Sequence, residues 1–212
     1  MTQTSHSEPA ETTTLDEPVR NIDRLTDHLW VGGDLPTDVI AATNTIQWWH
    51  QLGIRTIIDA RAEWSDERLV RVIAPDIRYA HLGQDDVGQK IPGTWFDMVA
   101  DAAKAGFEND HAVLAHCHMG INRGPSAAFA ILLSLGWDPI EAIGHIRRER
   151  PVAAVAYAED ELAWWHGRAD ATNTQRHADR ERLAQWRTEH PHAASRIIRQ
   201  IRLADQAEWS GR

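Results

Sequence analysis

One cysteine, Cys117, stands six residues before an arginine, Arg123, within the stretch AVLAHCHMGINRGPSAAFAILL at residues 112–133. It is the only cysteine in the chain, so no internal disulfide can claim it. The apolar run 112–115 reads as a buried strand, and Pro125 suits the first turn of a helix that ends at Gly136. A strand that stops at a loop and feeds a helix presents backbone N–H groups and the positive end of the helix dipole to the loop. A thiol at such a place is drawn towards its thiolate, the reactive form. Gly120 lets the loop curl until successive N–H groups converge. Arg123 can fold its planar fork back onto two oxygens of a phosphate. The set supplies a nucleophile, a cradle for a tetrahedral dianion and charge for its transition state, which is phosphate-ester chemistry. A lone cysteine is more often a small buried hydrophobe. That plainer role leaves the arginine, the glycine and their spacing without a purpose.

The run His116-Cys117-His118 also invites a metal reading, but a soft metal site needs a third or fourth ligand and no Cys-x-x-Cys pair is present. The expectation is no metal and no cofactor.

The elements that must position this loop follow from the hydrophobic pattern. Order begins near Ile22. Leu29-Trp30-Val31 reads as a short strand closed by Gly32-Gly33. A helix follows Asp34-Leu35-Pro36 and stops at Gly53. Arg55–Asp59 and Ile77–Leu82 read as strands. Residues 83–93, GQDDVGQKIPG, carry three glycines and a proline and form a loop. A helix runs from Trp95 to Ala105, and another starts at Asp138-Pro139 and reaches about Arg150. Strands alternating with helices predict an α/β fold with a central, mostly parallel sheet flanked by helices. Residues 1–20 read as a disordered lead, 21–169 as the catalytic domain and 170–212 as a helical extension of two amphipathic helices broken at His190-Pro191.

Composition sets the outer bounds. Hydrophobic residues make up 42% and charged residues 25% of 212, and net charge is −9. Phosphate backbones reward clustered Lys and Arg, so nucleic acid and anionic membrane surfaces are poor partners. No stretch approaches a membrane span, and the first residues lack the basic start and apolar core of a secretory signal. One cysteine fits a reducing cytoplasm. Ten tryptophans stand against three phenylalanines and two tyrosines, and Trp48-Trp49 and Trp164-Trp165 read as packing aromatics.

His116-Cys117-x5-Arg123 resembles the signature of the cysteine-dependent protein tyrosine phosphatases, and the form HC-x-x-G-x-x-R is closest to the dual-specificity branch. Asp27–Gly32 is similar to that branch's opening strand, and Ile146-Arg147-x-x-Arg150-Pro151 to the end of the helix after the signature helix. The resemblance runs from about Ile22 to Trp165. It implies hydrolysis of phosphate monoesters on tyrosine, and on serine or threonine, through a phosphocysteine intermediate. Cys117 is then the nucleophile, Arg123 the phosphate holder, and His118, Met119, Gly120, Ile121 and Asn122 the substrate-binding loop. His116 would buttress that loop, and Arg150 could support it.

The resemblance also implies a general acid on a separate loop, about ten positions before an aromatic of the next helix. Asp86 precedes Phe96 and Asp85 precedes Trp95 by that interval. The second pair is the weaker match, so Asp86 is favoured and Asp85 stays open. In most members a Ser or Thr hydroxyl follows the arginine and steadies the cysteine sulfur. Gly124 has none, and Ser126 would point away. The variable loop positions hold no Lys or Arg, which leans towards a singly phosphorylated protein or a small phosphate ester. The rival is a phosphoprotein-binding module without turnover. Asp59-Ala60-Arg61 is expected in a cleft wall, with a surface salt bridge as the alternative. Oligomeric state has no signal in the sequence.

Overall fold

The computed structural model describes residues 20–193 together with Ile197, Arg199 and Leu203. Twelve elements follow one another: β1 (Ile22–Arg24), β2 (Leu29–Gly32), α1 (Val39–Gln51), β3 (Ile54–Arg61), α2 (Glu67–Ile73), β4 (Arg78–Gln84), α3 (Gly93–Phe107), β5 (Ala112–His116), α4 (Arg123–Ser134), α5 (Pro139–Glu149), α6 (Ala158–Arg168) and α7 (Asn173–Glu189). The five strands form one sheet in the order β1-β2-β5-β3-β4. Only the β1–β2 pair is antiparallel. The α/β expectation of a mostly parallel sheet between helices therefore stands.

Local chemistry sets most boundaries. Asp38 caps α1 by accepting bonds from the amides of Ile40 and Ala41, and Gly53, at φ +82°, turns the chain out of it. Asp138 caps α5 with Pro139 in its first turn, and Thr172 and Gln175 close a reciprocal capping box on α7. α4 differs, because Asn122 makes no capping bond to it. Its first amides are left to the loop before it.

β5 is buried along its whole length, as the middle strand of a sheet covered on both faces must be. One face carries α1 and α2 over Ile46, Trp49, Ile57 and Leu114. The other carries α3, α4, α5 and α6 over Val99, Phe96, Phe129 and Ile146, and Leu183 and Trp186 of α7 close the same core. α7 thus packs on its own domain. The second helix expected beyond Pro191 falls largely outside the described residues, as does the lead over residues 1–19. No helix among the described residues is long and apolar enough to cross a membrane.

Candidate active site

The chain between β5 and α4 leaves the carboxyl end of the sheet's middle strand, where α/β folds open their crevices. Four of its carbonyls are bonded to groups outside the loop. His118 O accepts from the Asp34 amide at 2.9 Å, and Ile121 O from the Ala154 amide at 2.6 Å. Arg150, almost fully buried, donates to Gly120 O at 2.6 Å and Met119 O at 3.2 Å, and is itself anchored on Asp23 and Asn21. Across a planar trans peptide the next N–H points opposite to each carbonyl. The amides of Met119, Gly120, Ile121 and Asn122 therefore point away from those outer partners, towards the inside of the loop. Gly120 sits at φ +63°, and a Cβ there would lie 2.2 Å from the Arg150 guanidinium, so only glycine fits.

Cys117, Arg123, Glu63, Asp86, His118, Met119, Ile121, Asn122, Ala154 and Ala156 line one cleft of about 310 Å³. Arg123 opens α4 and is 4% exposed. Its outer edge is held by Glu63, at 2.7 Å from Nη1 and 2.8 Å from Nη2, and Nη1 also donates to Gln84 O at 2.8 Å. Nε is buried with no hydrogen-bond partner; the nearest carboxylate oxygen, on Asp86, is 3.6 Å away. Burial opposes the arginine's charge, but Glu63 and the nearby sulfur outweigh it and raise its pKa. The same contact lowers the pKa of Glu63.

Asp86 Oδ1 accepts from Asn122 Nδ2 at 2.6 Å and from the Tyr157 hydroxyl at 3.0 Å. Burial and this carboxylate push the Tyr157 phenol up to about 12. Asp85 is exposed and lies outside the cleft lining, its carbonyl receiving the Gln89 amide. His118 is bonded through Nδ1 to Asp34 Oδ2 at 2.5 Å, which raises its pKa against the opposing effect of burial. Among the described residues no cluster of His, Cys, Asp and Glu suits a metal ion.

Beneath the loop the expectation for Asp59 and Arg61 needs correction. Both are fully buried, forming neither a cleft wall nor a surface pair. Arg61 donates to both oxygens of Asp59 and to Asp34 and Asp66, and the Tyr79 hydroxyl donates to Asp59. Burial works against both charges, yet their pairing keeps Asp59 low and Arg61 high. His116 lies buried 3.8 Å from Asp59, its pKa lowered by desolvation. It packs under the loop against Trp49.

Glu63, Asp34 and Tyr157 were invisible to the sequence reading, since no local motif marks an isolated acid or tyrosine in a loop. Ser126 lies beside the buried Glu161 of α6. No bond there reaches full hydrogen-bond geometry, and both groups are left without a partner.

No known family profile and no curated protein matches this sequence. Solved structures do. Human DUSP28 superposes with a TM-score of 0.60 at 15% identity, over 73% of this chain and 99% of its own. A mouse putative dual specificity phosphatase complexed with zinc tungstate gives 0.61 at 16%, over 75% and 97%. This chain has the dual-specificity phosphatase fold. A human tyrosine phosphatase-like serine/threonine/tyrosine-interacting protein shares that dual-specificity phosphatase fold at a TM-score of 0.55 and 15% identity, over 71% and 99%.

Proposed function

We propose that the protein is a phosphatase that hydrolyses phosphate monoesters on protein tyrosine, extending to serine and threonine, through a phosphocysteine intermediate. The observation that carries this reading is the unpartnered Nε–H of Arg123, a buried donor beside Cys117 in a ring of inward amides. A buried donor left without an acceptor is unfavourable by about 1–3 kcal/mol. A phosphate oxygen supplies the acceptor, and the Nε–Nη2 edge provides the two-bond geometry.

In the first step Cys117 Sγ attacks phosphorus as the ester P–O bond breaks. The Asp86 carboxyl gives its proton to the leaving oxygen. Arg123 and the amides of residues 119–122 hold the equatorial oxygens as charge redistributes. In the second step water attacks phosphorus, its proton passes to the Asp86 carboxylate, and the P–S bond breaks to restore the thiolate and release phosphate. His118, Met119, Ile121 and Asn122 form the rim that meets the substrate. With few cations there, the site favours a singly phosphorylated residue or small phosphate ester in a reducing, cytoplasmic setting. Residues 21–169 carry this chemistry and 170–212 extend it.

A binding module without turnover is the second reading. Gly124 favours it, lacking the hydroxyl that would steady the departing sulfur. Hydrolysis of p-nitrophenyl phosphate, abolished by Cys117→Ser while phosphate binding persists, establishes the enzyme. Binding without hydrolysis by the unaltered protein establishes the module.

A further inference from the structure

Ala154 and Ala156 belong to the turn between α5 and α6, and the residue between them is in an unusual state. Val155 has φ +48° with its side chain fully buried. A β-branched residue is rarely found in the left-handed region, and it stays there only where its surroundings over-determine it. The holding contacts come from two sides. Facing the cleft, the Ala154 amide donates to Ile121 O and the Ala156 amide to Asn122 Oδ1, each at 2.6 Å. From the far side, Arg187 of α7 donates through Nη2 to Val155 O at 3.2 Å and Ala156 O at 3.4 Å. Its Nη1 pairs with Glu159, at the start of α6. The contacts continue into the cleft, because the Asn122 side chain that receives Ala156 donates to Asp86. Tyr157, next along the chain, donates to the same Asp86 oxygen.

We propose that Arg187 is a positioning residue for the general acid: by holding the 154–156 turn from outside, α7 fixes Asn122 and Tyr157, and through them the carboxyl of Asp86. This rests on the reading of Asp86 as the acid. It gives the C-terminal extension a part in turnover that its distance along the chain conceals. Arg187 touches no reacting atom, so its effect must fall on whatever depends on the placement of Asp86.

That dependence is sharpest for poor leaving groups, which need the proton most. Kinetics of Arg187→Met and Arg187→Lys are measured on phenyl phosphate and on p-nitrophenyl phosphate, after thermal melts of both variants. Arg187→Met is expected to lower kcat/KM, which reports only the leaving-group step, by about tenfold on phenyl phosphate and by about twofold or less on p-nitrophenyl phosphate, as a misplaced acid forfeits part of its 10²–10⁴-fold contribution. Arg187→Lys should recover part of the loss. In an Asp86→Asn background Arg187→Met should add nothing. Equal losses on both substrates, no loss, or a full further loss in that background would overturn the proposal. Amide hydrogen exchange at Ala156 gives a readout free of turnover, and faster exchange in Arg187→Met is expected. Unchanged exchange overturns the proposal even in a protein that hydrolyses nothing. Failure of the unaltered protein to hydrolyse either ester instead counts against the phosphatase reading.

Discussion

Arg123 divides its donors between two tasks. Glu63 takes the Nη1–Nη2 edge and fixes the plane, which leaves Nε without a partner; on the proposed reading Nε and the remaining Nη2 hydrogen take an incoming oxyanion. A lysine ammonium has three donors on one atom and no second edge. Arg123→Lys is therefore expected to lower kcat/KM on p-nitrophenyl phosphate by about 10³-fold, the scale of losing a transition-state donor in a dry site. Asp86→Asn should lower kcat on phenyl phosphate by about 10²- to 10⁴-fold, whereas Asp85→Asn, outside the cleft, should change it by less than about twofold. The reverse order of the two variants would reassign the acid. Cys117, Gly120 and Arg123 could be found in the sequence because their geometry is local, set by one loop at a helix start. Glu63 could not. It lies 60 residues from its partner, and the parallel pairing of β3 with β5 brings them together. Asp59 and Arg61 were misplaced because β3 runs on to Arg61 and carries both into the interior.

The start of α4 shows how an element constrains its own residues. A Cβ on Gly124 would lie 3.1 Å from Cys117 N and from His116 Cα, so helix and strand approach more closely than a side chain allows without a shift of a few tenths of an ångström. Gly124→Ser restores a hydroxyl, but its Cβ must also shift the backbone at His116 and Cys117. Gly124→Ala, with the bulk and no hydroxyl, is expected to slow turnover of p-nitrophenyl phosphate, and Gly124→Ser to exceed Gly124→Ala. Equal rates would mean that the hydroxyl never reaches the sulfur. On the opposite side of α4, Glu161 is fully buried beside Ser126, and desolvation raises its pKa well above 4.5. The folded state then holds a proton that the unfolded chain releases above about pH 4.5, so this group lowers stability as pH rises beyond that point. Glu161→Gln should raise Tm, by an increment that grows as pH rises above about 4.5. A difference that is constant with pH would place an ionised Glu161 in the fold. Neither α2 nor β1 was read from the sequence. α2 has seven residues, three of them charged, and no side-chain cap, while β1 has three residues at a sheet edge. Elements this short are fixed by tertiary contacts, and no periodicity announces them.

At the scale of the molecule, net charge is −9, and the cleft presents Glu63 and Asp86 alongside its one permanent cation. Glu63 serves Arg123 as a resident counterion. An anionic substrate approaching from a distance therefore feels the carboxylates and the overall negative field before it feels the guanidinium. At about 0.01 M salt that field reaches about 30 Å, and at 0.15 M about 8 Å. Raising ionic strength across this range should increase kcat/KM for a phosphopeptide by about two- to fivefold, measured with substrate well below KM. A fall would indicate attraction. On the proposed reading recognition is a short-range event: capture would begin only at contact, where the last few ångströms bring a phosphate onto the free edge of an arginine already held in plane.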